Sequence, residues 1–320
     1  MPERPRVAIT VGDPNGIGPE VVLKCLQRED VRSVCTPVLV GPEPVWRHHA
    51  EMLGVRFPEV EIDEPEDSPE HEVRYGTITA TGGDLAMKAV ARAVALCRSG
   101  ECAAMATAPI SKEAIGMAGY TVPGHTEFLS ELCGGADHLM MMVAGGLRVG
   151  VVTGHIPLAQ VSASVTTEAV ARVLRRMNES LISDFGVEDP QIAVLGLNPH
   201  AGDGGVLGEE ESTVIRPAMK AALPVRTFGP FPADGFFAER MFERFDGVLA
   251  MYHDQGLIPF KTLAFDTGIN FTAGLPIVRT SPDHGTAFGI AGTRQARPES
   301  MANAILVAVD VARARGRRAA

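Results

Sequence analysis

Short apolar runs alternate with longer amphipathic stretches along the whole chain. Val7–Thr10, Pro37–Val40, Ala103–Thr107, His138–Val143, Val149–Thr153, Ile192–Leu197 and Gly247–Tyr252 read as strands, and several are apolar throughout, as strands covered on both faces are. Between them the spacing turns helical. Gly83–Arg98 is apolar apart from Asp84, Lys88 and Arg92 at i, i+4 spacing, which predicts a solvent-facing stripe. Glu168–Leu181 sets Val170, Val173, Leu174, Met177 and Leu181 on one side, with Thr166 placed to cap it. Met301–Ala314 predicts a terminal helix followed by a frayed basic tail, Arg315 to Arg318. This alternation predicts an α/β protein with a largely parallel core.

One segment breaks the pattern. Pro58–Val73 carries Glu59, Glu61, Asp63, Glu64, Glu66, Asp67, Glu70 and Glu72 among three prolines, and predicts an exposed acidic excursion away from any chemistry. No repeat and no linker separates independent domains. The reading is one catalytic unit over residues 1–320, built of two interleaved lobes sharing a cleft.

Composition narrows the function classes. A net charge of −10 over 320 residues argues against a nucleic-acid binder, which normally shows a basic face. No apolar run reaches the roughly 18 residues of a membrane span, and Met1–Arg6 begins no signal peptide. The five cysteines, Cys25, Cys35, Cys97, Cys102 and Cys133, show no CxxC spacing and read as buried thiols of a cytoplasmic protein.

The chemistry is concentrated after three of the apolar runs. Val149–Thr153 leads through Gly154 to His155, Ile192–Leu197 leads through Asn198-Pro199 to His200, and Gly247–Tyr252 leads directly to His253. In parallel α/β sheets ligands bind beyond the carboxyl ends of strands, so three imidazoles delivered there can share a divalent cation. Imidazole suits Zn²⁺, Co²⁺ or Ni²⁺, whereas Mg²⁺ or Mn²⁺ needs further oxygen ligands. Three protein ligands leave positions open for substrate. Asp234 and Asp254 are candidates to orient a ligating imidazole or to move a proton, or else to cap a turn. His48, His49, His71 and His138 read as structural, because their settings do not recur.

Other motifs are weaker. Gly12-Asp13-Pro14-Asn15-Gly16-Ile17-Gly18-Pro19-Glu20 follows a strand and opens a helix, but its glycines are not spaced as GxGxxG and it lacks the Lys-Ser/Thr of a P-loop, so it supports no Rossmann assignment. Gly124-His125-Thr126-Glu127 reads as a helix start capped by Thr126. Lys261, Asn270 and Arg279 follow His253 and suit either an anionic substrate or surface salt bridges. Asp283-His284-Gly285-Thr286-Ala287, followed by Ile290-Ala291-Gly292, resembles the adenosine-binding loop of isopropylmalate and isocitrate dehydrogenases.

Together these segments resemble the 4-hydroxythreonine-4-phosphate dehydrogenase family. The resemblance runs from Gly12–Glu20 through Thr107-Ala108-Pro109-Ile110-Ser111-Lys112, Gly124–Phe128, Leu197–Gly202 and Met251–Gly256 to Arg279–Ala287, nearly the whole chain. It implies an isopropylmalate dehydrogenase-like α/β/α two-lobed fold with a cleft, not a Rossmann fold, and a homodimer with the active site at the subunit interface. It implies NAD or NADP as hydride acceptor, at Asp283, His284, Gly285, Thr286 and Ala287, and a divalent cation (Zn²⁺, Mg²⁺ or Co²⁺) on His155, His200 and His253. A small phosphorylated hydroxy acid is implied on His125, Thr126, Lys261, Asn270 and Arg279, with Lys261 or Asp234 moving protons. Relatives on the same scaffold oxidise 4-phospho-D-threonate or 4-phospho-D-erythronate. From the three histidines alone, a metal-dependent hydrolase is the rival reading.

Overall fold

In the computed structural model residues 4–122 and 124–319 are described; of the segments read above, Met1–Glu3 lie outside them. In chain order the strands are β1 (Arg6–Thr10), β2 (Thr36–Val40), β3 (Glu61–Asp63), β4 (Ala104–Thr107), β5 (Leu139–Ala144), β6 (Leu147–Thr153), β7 (Gln191–Leu195), β8 (Arg226–Phe231), β9 (Gly247–Tyr252), β10 (Ile269–Ala273) and β11 (Arg279–Pro282). The chain divides into two compact units. The first takes Met1–Asp137 and Leu275–Gly316, the second His138–Gly274 and the last four residues.

In the first unit every pairing is parallel, in the order β3-β2-β1-β4-β11. The inner strands are apolar on both faces because helices cover both: Val7, Ala8, Ile9, Val38, Leu39, Ala104 and Met105 are fully buried. The helix Ala80–Ser99 starts where the Thr79 hydroxyl accepts from Gly82 N at 3.1 Å and stops at Gly100, whose φ of +83° suits glycine. Its polar stripe is partly exposed, as expected, and two of its members also make a contact not foreseen. Lys88 bonds the Asp67 carbonyl and Arg92 makes a two-pronged bond to Asp63 (2.6 and 2.7 Å), so the stripe docks the acidic excursion. The excursion in turn adds the edge strand β3.

The second unit is mixed rather than parallel. The β5–β6 hairpin turns at Gly145-Gly146, and β5 is antiparallel to both β6 and β10. Beyond it β6, β9, β7 and β8 run parallel in that order. Met142, Val149, Val151, Leu195, Val248, Leu257 and Phe260 form its core with Phe236 and Phe242. Thr166 caps the helix Thr167–Ser183 as expected, accepting from Ala169 N. The terminal helix continues as Glu299–Ala319, through the basic tail expected to fray. Among the described residues no helix is long and apolar enough to cross a membrane.

Candidate active site

The order β6-β9-β7 explains how the second unit gathers its histidines. These strands are neighbours and parallel, with Thr153 opposite Tyr252 and Val194 opposite Leu249, so the segments bearing His155, His253 and His200 leave from the same edge. The Thr153 hydroxyl donates to the Met251 carbonyl (3.0 Å), tying β6 to β9 just before their histidines. The His155 and His253 rings lie 5.5 Å apart.

His253 does not sit in a loop: it is the first residue of the helix His253–Ala264. Its Nδ1 is 2.6 Å from Asp254 Oδ1. An ionised carboxylate only accepts, so Nδ1 is the donor, which leaves Nε2 as the position of the neutral ring able to bind a metal. Gln255, nearly buried, holds this helix start from below; its amide donates to the Gly196 carbonyl (2.6 Å) and its oxygen accepts from Met251 N (2.8 Å). One side chain thereby links the ends of β7 and β9.

His200 lies in a strained turn. His200, Ala201, Gly202, Asp203 and Gly204 all have positive φ, +53° at His200 itself, a conformation that costs non-glycine residues on the order of 1–3 kcal/mol each. The buried Glu211 holds the turn: one oxygen accepts from Leu197 N and Asn198 N (2.8 Å each), the other from the Asn198 amide (3.0 Å). The second oxygen also packs on Gly202, where a Cβ would come within 2.6 Å. His200 is exposed and does not join the other two rings; among the described residues, no three His, Cys, Asp or Glu side chains sit closely enough to hold a metal ion.

Lys261 follows His253 on the same helix, eight residues on, or about 12 Å of rise. Asn270 lies on β10 opposite Met142, its Oδ1 buried without a hydrogen-bond partner. Asp234, in the short helix Ala233–Ala238, is exposed.

In the first unit the setting is tighter. Arg279 opens β11, only 1% exposed, and burial lowers its pKa to about 9, so it remains a cation at neutral pH. It is therefore no surface salt-bridge residue. Its Nε and Nη2 donate to the Thr107 hydroxyl at 3.1 and 2.7 Å. His125 starts the helix His125–Leu132, and its buried Nε2 has no hydrogen-bond partner. Burial first, and the charge of Arg279 second, hold its imidazole well below the ordinary histidine range. Thr126 is inside this helix and does not cap it; Gly124 occupies the cap.

Asp283–Ala287 leaves the end of β11. Asp283 N donates to the Ser300 hydroxyl (3.0 Å), and Ala287 takes a left-handed φ of +42°. His284 Nδ1 donates to the Gly285 carbonyl (3.1 Å), leaving Nε2 an acceptor, buried and without a partner. The Gly12–Glu20 motif proves to be a buttress for this loop: Ile17 N donates to the Thr286 carbonyl (3.0 Å), and a Cβ on Gly16 would strike that oxygen at 2.9 Å. Asp13, Asn15 and Glu20 are fully buried, and Asn15 bonds His71, Arg74 N and the Thr77 carbonyl. Part of the acidic excursion is thus tied to this motif.

Thr107, Glu211 and Gln255 received no role from sequence reasoning. Thr107 and Gln255 stand inside motifs quoted for the resemblance, which was their only signal. Glu211 is the third of three successive glutamates, and nothing in the sequence sets it apart.

Known proteins are similar to this chain over nearly its whole length. The family model described as pyridoxal phosphate biosynthetic protein PdxA matches residues 33–308. A 4-hydroxythreonine-4-phosphate dehydrogenase of Prosthecochloris aestuarii is 43% identical over 327 residues, spanning 95% of this chain and 96% of that one. A D-threonate 4-phosphate dehydrogenase of Pectobacterium atrosepticum is 39% identical, spanning 96% and 99%. The crystal structure of 4-hydroxythreonine-4-phosphate dehydrogenase from Klebsiella pneumoniae superimposes with a TM-score of 0.86 at 38% identity, over 97% of this chain and 98% of that one.

Proposed function

This chain belongs to the PdxA family, and we propose that it is a cytoplasmic, metal-dependent enzyme that oxidises 4-hydroxythreonine 4-phosphate with NAD or NADP. The hydroxyl carbon gives a hydride to the nicotinamide and the hydroxyl gives up its proton, forming 2-amino-3-oxo-4-(phosphooxy)butanoate. The bond to the carboxylate then breaks, CO₂ leaves, and the electron pair stays as an enolate that takes a proton to give 3-amino-2-oxopropyl phosphate. The single observation that carries the reading is the delivery of His155, His200 and His253 from three adjacent parallel strands. Family membership makes the chain a dehydrogenase and sets aside the hydrolase alternative.

The donor types suit a divalent cation: the His155 and His253 rings lie 5.5 Å apart, Asp254 accepts from His253 Nδ1, and His200, exposed on its turn, would have to move in as the third donor. Such a cation supplies stabilisation of negative charge on the substrate oxygens. The protein's own groups do the rest. Arg279 and His125 hold the anionic end of the substrate, and Thr126 and Asn270 add polar contacts. Lys261 is the candidate to take the hydroxyl proton and to return it to the enolate; Asp234 is the other candidate for that step. The unsatisfied Nε2 of His284 suits an amino group such as that of adenine, which supports Asp283–Ala287 as the cofactor loop.

A homodimer with the site at its interface is supported by exposed apolar side chains on the segments that follow the three histidines in sequence. Leu158 follows His155, Val206 follows the His200 turn, and Ile258 and Phe265 lie on and just after the His253 helix. The likeness to a D-threonate 4-phosphate dehydrogenase favours 4-phospho-D-threonate as the second candidate substrate, with 4-phospho-D-erythronate beside it. The test is reduction of NAD⁺ or NADP⁺ with each compound and added divalent metal, followed by absorbance. No reduction with any of them would end the proposal.

A further inference from the structure

Arg279 and Thr107 are 172 residues apart in sequence and meet because β11 pairs with β4. The register sets Arg279 opposite Met105, so its side chain emerges on the face shared by Met105 and Thr107, two residues further along β4. Thr107 is fully buried and ends its strand. A threonine hydroxyl has one hydrogen and two lone pairs. Here both lone pairs receive one edge of the guanidinium, Nε at 3.1 Å and Nη2 at 2.7 Å, while the hydrogen points to the Thr280 carbonyl in a longer contact of 3.5 Å. The hydroxyl is thereby fully committed, and it holds one edge of the guanidinium from the end of a strand.

The choice of acceptor matters. A carboxylate at position 107 would orient the guanidinium equally well but would cancel its charge. A hydroxyl orients it and leaves the charge in place. We propose that Thr107 is a positioning residue that aims Arg279 at the anionic group of the substrate. This rests on the reading of Arg279 given above.

The experiment is steady-state kinetics with 4-hydroxythreonine 4-phosphate at saturating NAD⁺ or NADP⁺, beside thermal denaturation of each variant. Thr107→Val keeps the shape and removes the acceptor; it should lower kcat/KM about tenfold or more, mainly through KM. Thr107→Ser keeps the hydroxyl and should restore kcat/KM. In an Arg279→Met background Thr107→Val should cause no further loss, because the partner through which it acts is gone. Should Thr107→Val fail to fold, Thr107→Ala against Thr107→Ser decides the same point. A large loss in Arg279→Met beside unchanged kcat/KM in Thr107→Val, or losses that simply multiply in the double variant, overturns the role of Thr107 alone. Unchanged kcat/KM in Arg279→Met overturns the reading of Arg279, and the role of Thr107 falls with it.

Discussion

The two units hold their candidate residues in opposite ways. In the first, Arg279 and Thr107 are fully buried and His125 has a buried Nε2, and burial has already shifted the pKa of both Arg279 and His125. In the second, His155 and His200 are exposed and His253 is half-buried; two of the rings face each other while the third waits on a strained turn. The first arrangement is finished on folding and suits reading a fixed charge. The second leaves its donors accessible and suits a cation that completes the geometry when it binds. Rigid strands set the first, whereas a buried glutamate and glutamine steady the second from beneath.

The comparison is broken most severely by removing metal. Chelation should lower turnover by roughly a thousandfold or more, since a catalytic cation supplies several kcal/mol, and added Zn²⁺, Co²⁺ or Mg²⁺ should restore it. Elemental analysis beside turnover checks this; full activity in metal-free protein would refute the role given to the second unit.

The next effect probes burial in the first unit. Burial raises Asp13 from its ordinary 3.8 to about 6, only partly offset by its bond from Asn15 N. The folded state thus favours the protonated carboxyl, so this group's stabilising contribution is complete below about pH 4 and is lost as pH rises through about 6. Asp13→Asn cannot ionise, and should gain about 1–3 kcal/mol over wild type near pH 8 and little near pH 4. His49, lowered by burial to about 4, runs the other way, losing stability as pH falls below about 6.5, so comparison with the variant isolates Asp13. Urea denaturation at both pH values is the measurement; an equal difference at each would show that the carboxyl is not strained by burial.

Two smaller effects sharpen the second unit. Asp254→Ala frees the His253 ring and should weaken metal binding about 10–100-fold while leaving thermal stability near wild type. Calorimetric titration with Zn²⁺ reads it directly, and unchanged affinity would remove Asp254 from the site. Lys261→Ala should cost about tenfold in kcat/KM. If instead only KM for the nicotinamide changed, Lys261 would belong to cofactor binding and not to proton transfer.

Much of this was legible from local pattern. The runs that became β1, β2, β4, β6, β7 and β9 are apolar because both faces are covered, and Thr166 announced its helix by chemistry contained within three residues. Edge strands were not legible: β3 lies in a run of acids and prolines, and β8 carries Gly229 and Pro230. Such strands bury little, so they need no apolar signature. The histidines were visible because each directly follows an apolar strand, while their supports Glu211 and Gln255 were not, since a carboxylate or amide takes meaning from the backbone groups it meets.

The sequence by itself determined β1, β2, β4, β5, β6, β7 and β9, the three helices with clear periodicity, the family to which the chain belongs, and the types of side chain offered at the strand ends. These follow from periodicity, from capping and from motifs a few residues long. Tertiary structure alone decided that the Asp84–Arg92 stripe would meet the acidic excursion, that His155 and His253 would pair while His200 stands apart, and that Arg279 would lie against Thr107. Those outcomes depend on which strands become neighbours and in what register. That is a property of chain segments brought together across tens to hundreds of residues, and no local pattern encodes it.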